Sequence, residues 1–247
     1  MALAGVLGAL IGSFLNVVIH RVPRRESLVR PRSRCPDCGA PIAPYDNMPV
    51  LSWLLLRGRC RRCGERISPR YPLVELLTAL AFAAVVLVRG FDDNLVLELP
   101  FVAALIALAG IDYDHKLLPN RIVYPLAGYG LIATVLVERD DLVEHVAAGA
   151  GAFAFLLAAV IAYPRGMGMG DVKLAGAMGL FLGLSVIPAL LVAFLAGSVV
   201  GLAILAREGA AGRKKAIPFG VFLALGGIVG VLAGPELIDL YESNFLE

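Results

Sequence analysis

Eight apolar runs punctuate the sequence: Ala2 to Ile19, Pro72 to Val88, Leu95 to Ile111, Ile122 to Val137, Leu142 to Tyr163, Val172 to Ile187, Pro188 to Ala206 and Ala216 to Leu237. Each has about 16 to 22 residues, and at about 1.5 Å per residue such a helix crosses or nearly crosses a hydrocarbon core about 30 Å thick. With 59% hydrophobic and 17% charged residues, the chain lies outside the soluble range. The expected fold is an all-α polytopic membrane protein of about eight transmembrane helices. The sixth and seventh runs are separated only by Pro188 and the glycines around it. The first run lacks a basic start and a small-residue cleavage site, so it reads as a span that stays.

Charge orients the spans. The segments after spans one, three, five and seven hold 12, 2, 2 and 4 Lys or Arg, against only Arg89 and Arg139 on the other side. Basic residues collect on the cytoplasmic face, so both termini are expected outside and the large Arg-rich segment inside.

That segment, His20 to Tyr71, is the one polar stretch long enough to fold as a unit, and it holds every cysteine. "CPDCG" at Cys35 and Cys38 and "CRRCG" at Cys60 and Cys63 give C-x2-C-x21-C-x2-C. Two such knuckles present four thiolates to one zinc, and the glycine after each second cysteine permits a tight turn. Two disulfides are the competing reading; a cytosolic location and the paired knuckles favour metal. Four sulfur ligands leave no position for water, so the zinc is expected to be structural. The domain reading is therefore a first transmembrane helix at 1–19, a cytoplasmic zinc-binding domain at 20–71 and a transmembrane domain of about seven helices at 72–247. The dozen arginines of the insert suit anionic headgroups, at about 1 kcal/mol each. Few aromatics accompany them, which argues against nucleic acid.

The third span closes on "AGIDYDHKLLPN", and the sixth opens on "GMGMGDVKL". Asp112 and Asp114 would point about 200° apart on a helix, so neither serves as the other's partner. Asp171 lies on the same expected face as Asp112. Two carboxyl groups brought together in a poorly solvated place share one proton, and one can then activate water while the other polarises a carbonyl. Gly168 and Gly170 are expected to supply unusual φ values and close approach, with Asp171 capping the next helix. A plain cap is the competing role for Asp171. Lys173 reads as a headgroup anchor or as a charge beside a carboxylate. Glu75, just inside the second span, either snorkels or serves a site. His20, His115 and His145 have no ligand spacing.

"GSFLNVVIHRVP" at Gly12 to Pro23, the two knuckles with "NMPVLSWLLLRGRC" between them, "RYPLVELLTA" at Arg70 to Ala79, "IDYDHKLLPN" at Ile111 to Asn120 and "GMGMGDVKL" at Gly166 to Leu174 stand in order. In these motifs the chain resembles the bacterial prepilin peptidases, or type IV leader peptidases, which share the GxGD motif of intramembrane aspartyl proteases. The resemblance implies that Asp112, seven positions before Pro119, and Asp171 of GxGD are catalytic, with Asp114 a bystander. It implies removal of the basic leader from prepilins or pseudopilins at the cytoplasmic face of the inner membrane, after a glycine. It further implies S-adenosylmethionine-dependent methylation of the new N-terminus. Two other classes stand beside this reading: a transporter with intramembrane acids, and a non-enzymatic secretion scaffold with a zinc-binding cap. The acids sit at one membrane edge and no inverted repeat is evident, which weighs against transport.

Overall fold

Each apolar run folds as helix. The computed structural model describes residues 1–164, 166–209 and 215–245. Arg165, Arg213 and Lys214, three of the basic residues counted above, lie outside the described residues. The long helices are α1 (Ala2–Arg21), α3 (Arg70–Arg89), α4 (Leu95–His115), α5 (Asn120–Val137), α6 (Leu142–Ala162), α7 (Met169–Leu182), α8 (Val186–Glu208) and α9 (Phe219–Phe245), with a short α2 (Leu51–Leu55) in the insert. Among the described residues no strand forms; two isolated bridges, Arg34 with Pro41 and Arg59 with Arg66, are the extent of β pairing. Seven helical stretches are long and apolar enough to cross a membrane, α7 and α8 counting together as Met169–Glu208. The chain is a multi-pass membrane protein.

Contacts divide it into Met1–Gly90 and Phe91–Glu247. The first unit pairs α1 with α3. A Cβ on Gly8 would lie 2.7 Å from the Thr78 carbonyl oxygen, and one on Gly12 2.7 Å from Cα of Glu75. Helices in lipid gain little from hydrophobic burial, so such close backbone approach is what holds a pair together. Asn16 adds a hydrogen bond from Nδ2 to the Tyr71 carbonyl, 3.0 Å. The insert lies between these helices in sequence, with Trp53 Nε1 donating to the Ile67 carbonyl at 3.0 Å.

In the second unit α4 is the most enclosed span, with Phe101, Leu105, Leu108 and Ile111 fully buried. Phe101 stacks on Phe181 of α7, centroids 4.4 Å apart. Gly227 of α9 faces Leu105 and Met178, where a Cβ would meet Leu105 Cδ1 at 2.6 Å. The helices carrying Asp112 and Asp171 therefore share one core with α9.

The junction of the sixth and seventh runs is not at Pro188. It lies at Gly183–Ser185, a single 3-10 turn, and Pro188 sits in the first turn of α8, where its missing N–H costs nothing. Gly183 takes φ +51°, and a Cβ there would meet Glu144 Oε1 at 2.5 Å. The freed backbone is satisfied from the α5–α6 corner. Glu144 Oε1 accepts from the Leu184 amide at 2.9 Å, while Thr134 Oγ1 at 3.1 Å and His145 Nδ1 at 3.0 Å reach the Leu180 carbonyl. His145 is thus a brace at this break. α7 and α8 run in opposite directions: Gly170 and Gly220, which open α7 and α9, both contact Leu118, whereas Gly234, later in α9, contacts Ser185 at the break.

Candidate active site and metal centre

Asp112 sits in the last turn of α4 and Asp171 in the first turn of α7, and both are buried, at 5% and 8% exposure. Asp114 is exposed, as the helical periodicity requires. After α4 the chain turns at Lys116, in the left-handed region at φ 51°, and after three intervening residues starts α5 at Asn120. Leu118 in that connection is 6% exposed. It wedges between two glycines: a Cβ on Gly170 would lie 3.0 Å from Leu118 Cβ, and one on Gly220 2.9 Å from Leu118 Cδ2.

Backbone amides fix both acids. Gly168 N–H donates to Asp171 Oδ2 at 3.0 Å, and Gly220 N–H donates to Asp112 Oδ2 at 2.8 Å. Asp171 is the third residue of α7 and Gly168 its N-cap, so the carboxylate reaches back as in half of a capping box. The reciprocal half has no atoms to form it, because glycine carries no side chain. The expectation of unusual φ values at Gly168 and Gly170 is corrected here. Gly168 has φ −86° and Gly170 is helical, and neither is among the positive-φ glycines. At Gly170 the requirement is the space that Leu118 takes.

Lys173 pins α7 to α5. Its Nζ donates to Asn120 Oδ1 at 3.2 Å and lies 5.2 Å from the Tyr124 ring centroid. Glu75 is buried, and its Oε2 accepts from the Val50 amide at 2.7 Å, tying the insert to α3; Val50 itself has φ +61°, a costly conformation for a β-branched residue. Leu118 and Gly220 escaped sequence reasoning. No local pattern links Gly220 to an acid 108 residues earlier.

The four cysteines converge. All are free thiols, and their sulfurs lie within 4.8 Å of one another. Cys35 Sγ and Cys63 Sγ are 3.8 Å apart. A tetrahedron with zinc–sulfur bonds of about 2.3 Å has edges of about 3.8 Å, so the set fits a metal of that size. The two knuckles repeat one design. The Cys35 amide donates to Ala40 O at 2.9 Å and Cys60 to Glu65 O at 2.8 Å, while Gly39 at φ +68° and Gly64 at φ +72° make the turns foreseen from sequence. The amides of Cys63 and Arg62 bring the Cys60 thiol down to about 7. The Glu65 amide favours the thiolate of Cys63, yet desolvation and hydrogen bonding with the neighbouring sulfurs prevail and push it up to about 12. Beside the knuckles Arg61 grips Asp46 bidentately, with Nη2 to Oδ1 at 2.6 Å and Nε to Oδ2 at 2.8 Å.

Comparison with known proteins follows the same division. Residues 6–89 match the Bacterial Peptidase A24 N-terminal domain, and residues 99–206 match the Type IV leader peptidase family. A prepilin leader peptidase/N-methyltransferase of Aeromonas hydrophila is 37% identical, over 99% of this chain and 94% of the relative. The protein of the same name from Pseudomonas putida is 38% identical over 99% of this chain and 93% of its own. That of Myxococcus xanthus is 45% identical over 85% of this chain and 64% of its own. No solved structure matches.

Proposed function

Because this chain belongs to the type IV leader peptidase family, we propose that it is a membrane-embedded aspartyl endopeptidase that removes the basic leader from prepilins or pseudopilins. Asp112 and Asp171 are the catalytic pair. The observation that supports this reading is that two buried carboxylates, at the ends of α4 and α7, stand around one side chain, Leu118, which packs against Gly170 beside Asp171 and against Gly220 beside Asp112. Two acids so placed hold one proton between them. The ionised carboxylate takes a proton from water as the water oxygen attacks the scissile carbonyl, and the protonated one gives its proton to the carbonyl oxygen. Collapse of the tetrahedral intermediate returns a proton to the leaving amine and regenerates the pair.

The excess of basic residues in the insert and in the α4–α5 connection supports a cytoplasmic side for both at the bacterial inner membrane, with both termini outside. A substrate with a basic leader and an apolar helix would lie with the helix in the bilayer and the junction at the acids. The relatives' second title, N-methyltransferase, supports S-adenosylmethionine-dependent methylation of the new N-terminus as the following step. Zinc held by Cys35, Cys38, Cys60 and Cys63 would serve to fold the insert and take no part in cleavage.

Incubating the detergent-solubilised protein with a prepilin tests this. Asp112→Asn and Asp171→Asn should each lose at least about 10³-fold in cleavage, since positioned acid–base groups contribute about 10²–10⁴-fold. Asp114→Asn should cleave normally. Processing retained in either of the first two rejects the assignment; mass measurement of the new terminus with added S-adenosylmethionine checks the second step.

A further inference from the structure

Asp112 is held by the last helix of the described chain. Gly220 N–H donates to its Oδ2 in a fully buried bond of 2.8 Å. Gly220 is the second residue of α9. The first turn of any helix leaves amides without partners, which a side chain at its own N-cap ordinarily satisfies. Here a carboxylate from another helix does so. The space is equally specific: a Cβ at position 220 would stand 2.9 Å from Asp112 Oδ2, 3.1 Å from its Cγ and 2.9 Å from Leu118 Cδ2. Leu118 has little room to yield, because Gly170 lies against its other side, so near that a Cβ there would stand 3.0 Å from Leu118 Cβ.

We propose that Gly220 is a positioning residue for the peptidase reaction: its amide fixes the Asp112 carboxylate, and its lack of a side chain leaves that carboxylate room beside Leu118. The proposal rests on Asp112 being catalytic. Gly220 touches no substrate; it acts through Asp112, whose carboxylate must meet both its partner acid and the scissile bond. Misplacement of a reacting group by about 1 Å costs about 10²-fold in rate.

Steady-state cleavage of a prepilin by the full-length protein in detergent tests it. Gly220→Ala should lower kcat by about 10²-fold and leave KM essentially unchanged, because the substrate helix still binds. Gly128→Ala in α5, where a Cβ meets nothing within 4 Å, should retain full activity. Adding Leu118→Ala to Gly220→Ala relieves the leucine contact but not the collision with the carboxylate, so activity should stay low. Full recovery in the double variant, or a wild-type kcat in Gly220→Ala, overturns the proposal. A second measurement does not depend on activity. Amide hydrogen exchange at Gly220 should accelerate in Asp112→Ala and not in Asp114→Ala; equal protection in both overturns it. Should Asp112→Asn still cleave, the catalytic assignment fails instead, and the two failures are told apart by that variant alone.

Discussion

Asp46 is half-buried under Arg61, and its carboxylate is held below its ordinary value by hydrogen bonds from Arg61, with charge attraction adding to them against a small burial effect. A depressed carboxylate contributes stability that is complete above its unfolded value and is lost as pH falls through the folded one. Arg61→Gln should therefore weaken the insert modestly at neutral pH, and the difference from wild type should vanish in acid, where Asp46 is protonated in both. Trp53, the one tryptophan of the chain and a residue of the insert, reports it by fluorescence. A difference that persists undiminished in acid would contradict this account. Residues whose chemistry is carried by their type were legible in the sequence: the cysteines by spacing, and Asp112 and Asp171 by interrupting apolar runs. Residues whose role is spatial were not. Leu118 reads as one leucine among many, and Gly220 as a small residue in an apolar span, until tertiary contacts bring them to Asp112.

Helix boundaries followed hydropathy where charge or proline ended a run, and departed from it where side chains from elsewhere determined the ending. The α7–α8 break illustrates the second case. Pro188 is the visible punctuation, but a proline in the first turn of a helix breaks nothing. The turn at Gly183 instead depends on Glu144 and His145, about 40 residues earlier. The pairing of α1 with α3 rests on closeness of backbones at Gly8 and Gly12. Gly12→Leu should destabilise that pair by about 1–3 kcal/mol, the usual cost of overfilling a packed interface. Thermal unfolding in detergent measures it, and a wild-type midpoint would mean that α1 and α3 are not joined at Gly12.

For the molecule as a whole, the grouping of the chain into Met1–Gly90 and Phe91–Glu247 assigns the four cysteines and the two acids to different units. On the proposal that the cysteines hold zinc, a small insert without strands and with little buried apolar surface would owe its fold to that metal, because the binding free energy is folding free energy. Chelation should accordingly open the insert to trypsin at its many arginines while leader cleavage persists, and readdition of zinc should restore protection. An insert equally resistant with and without chelator would sink this. The order of spans and the convergence of the cysteines were legible from sequence; the division after α3 was not, since nothing in composition marks α3 as the companion of α1.

The bond between Gly220 and Asp112 bears on biogenesis. During synthesis the ribosome makes Asp112 long before the amide that restrains it, and four helices, α5 to α8, are made in between. On the reading given above, a nascent protein arrested short of α9 carries both acids but lacks the amide that fixes one of them, so full proteolytic rate waits for the insertion of α9.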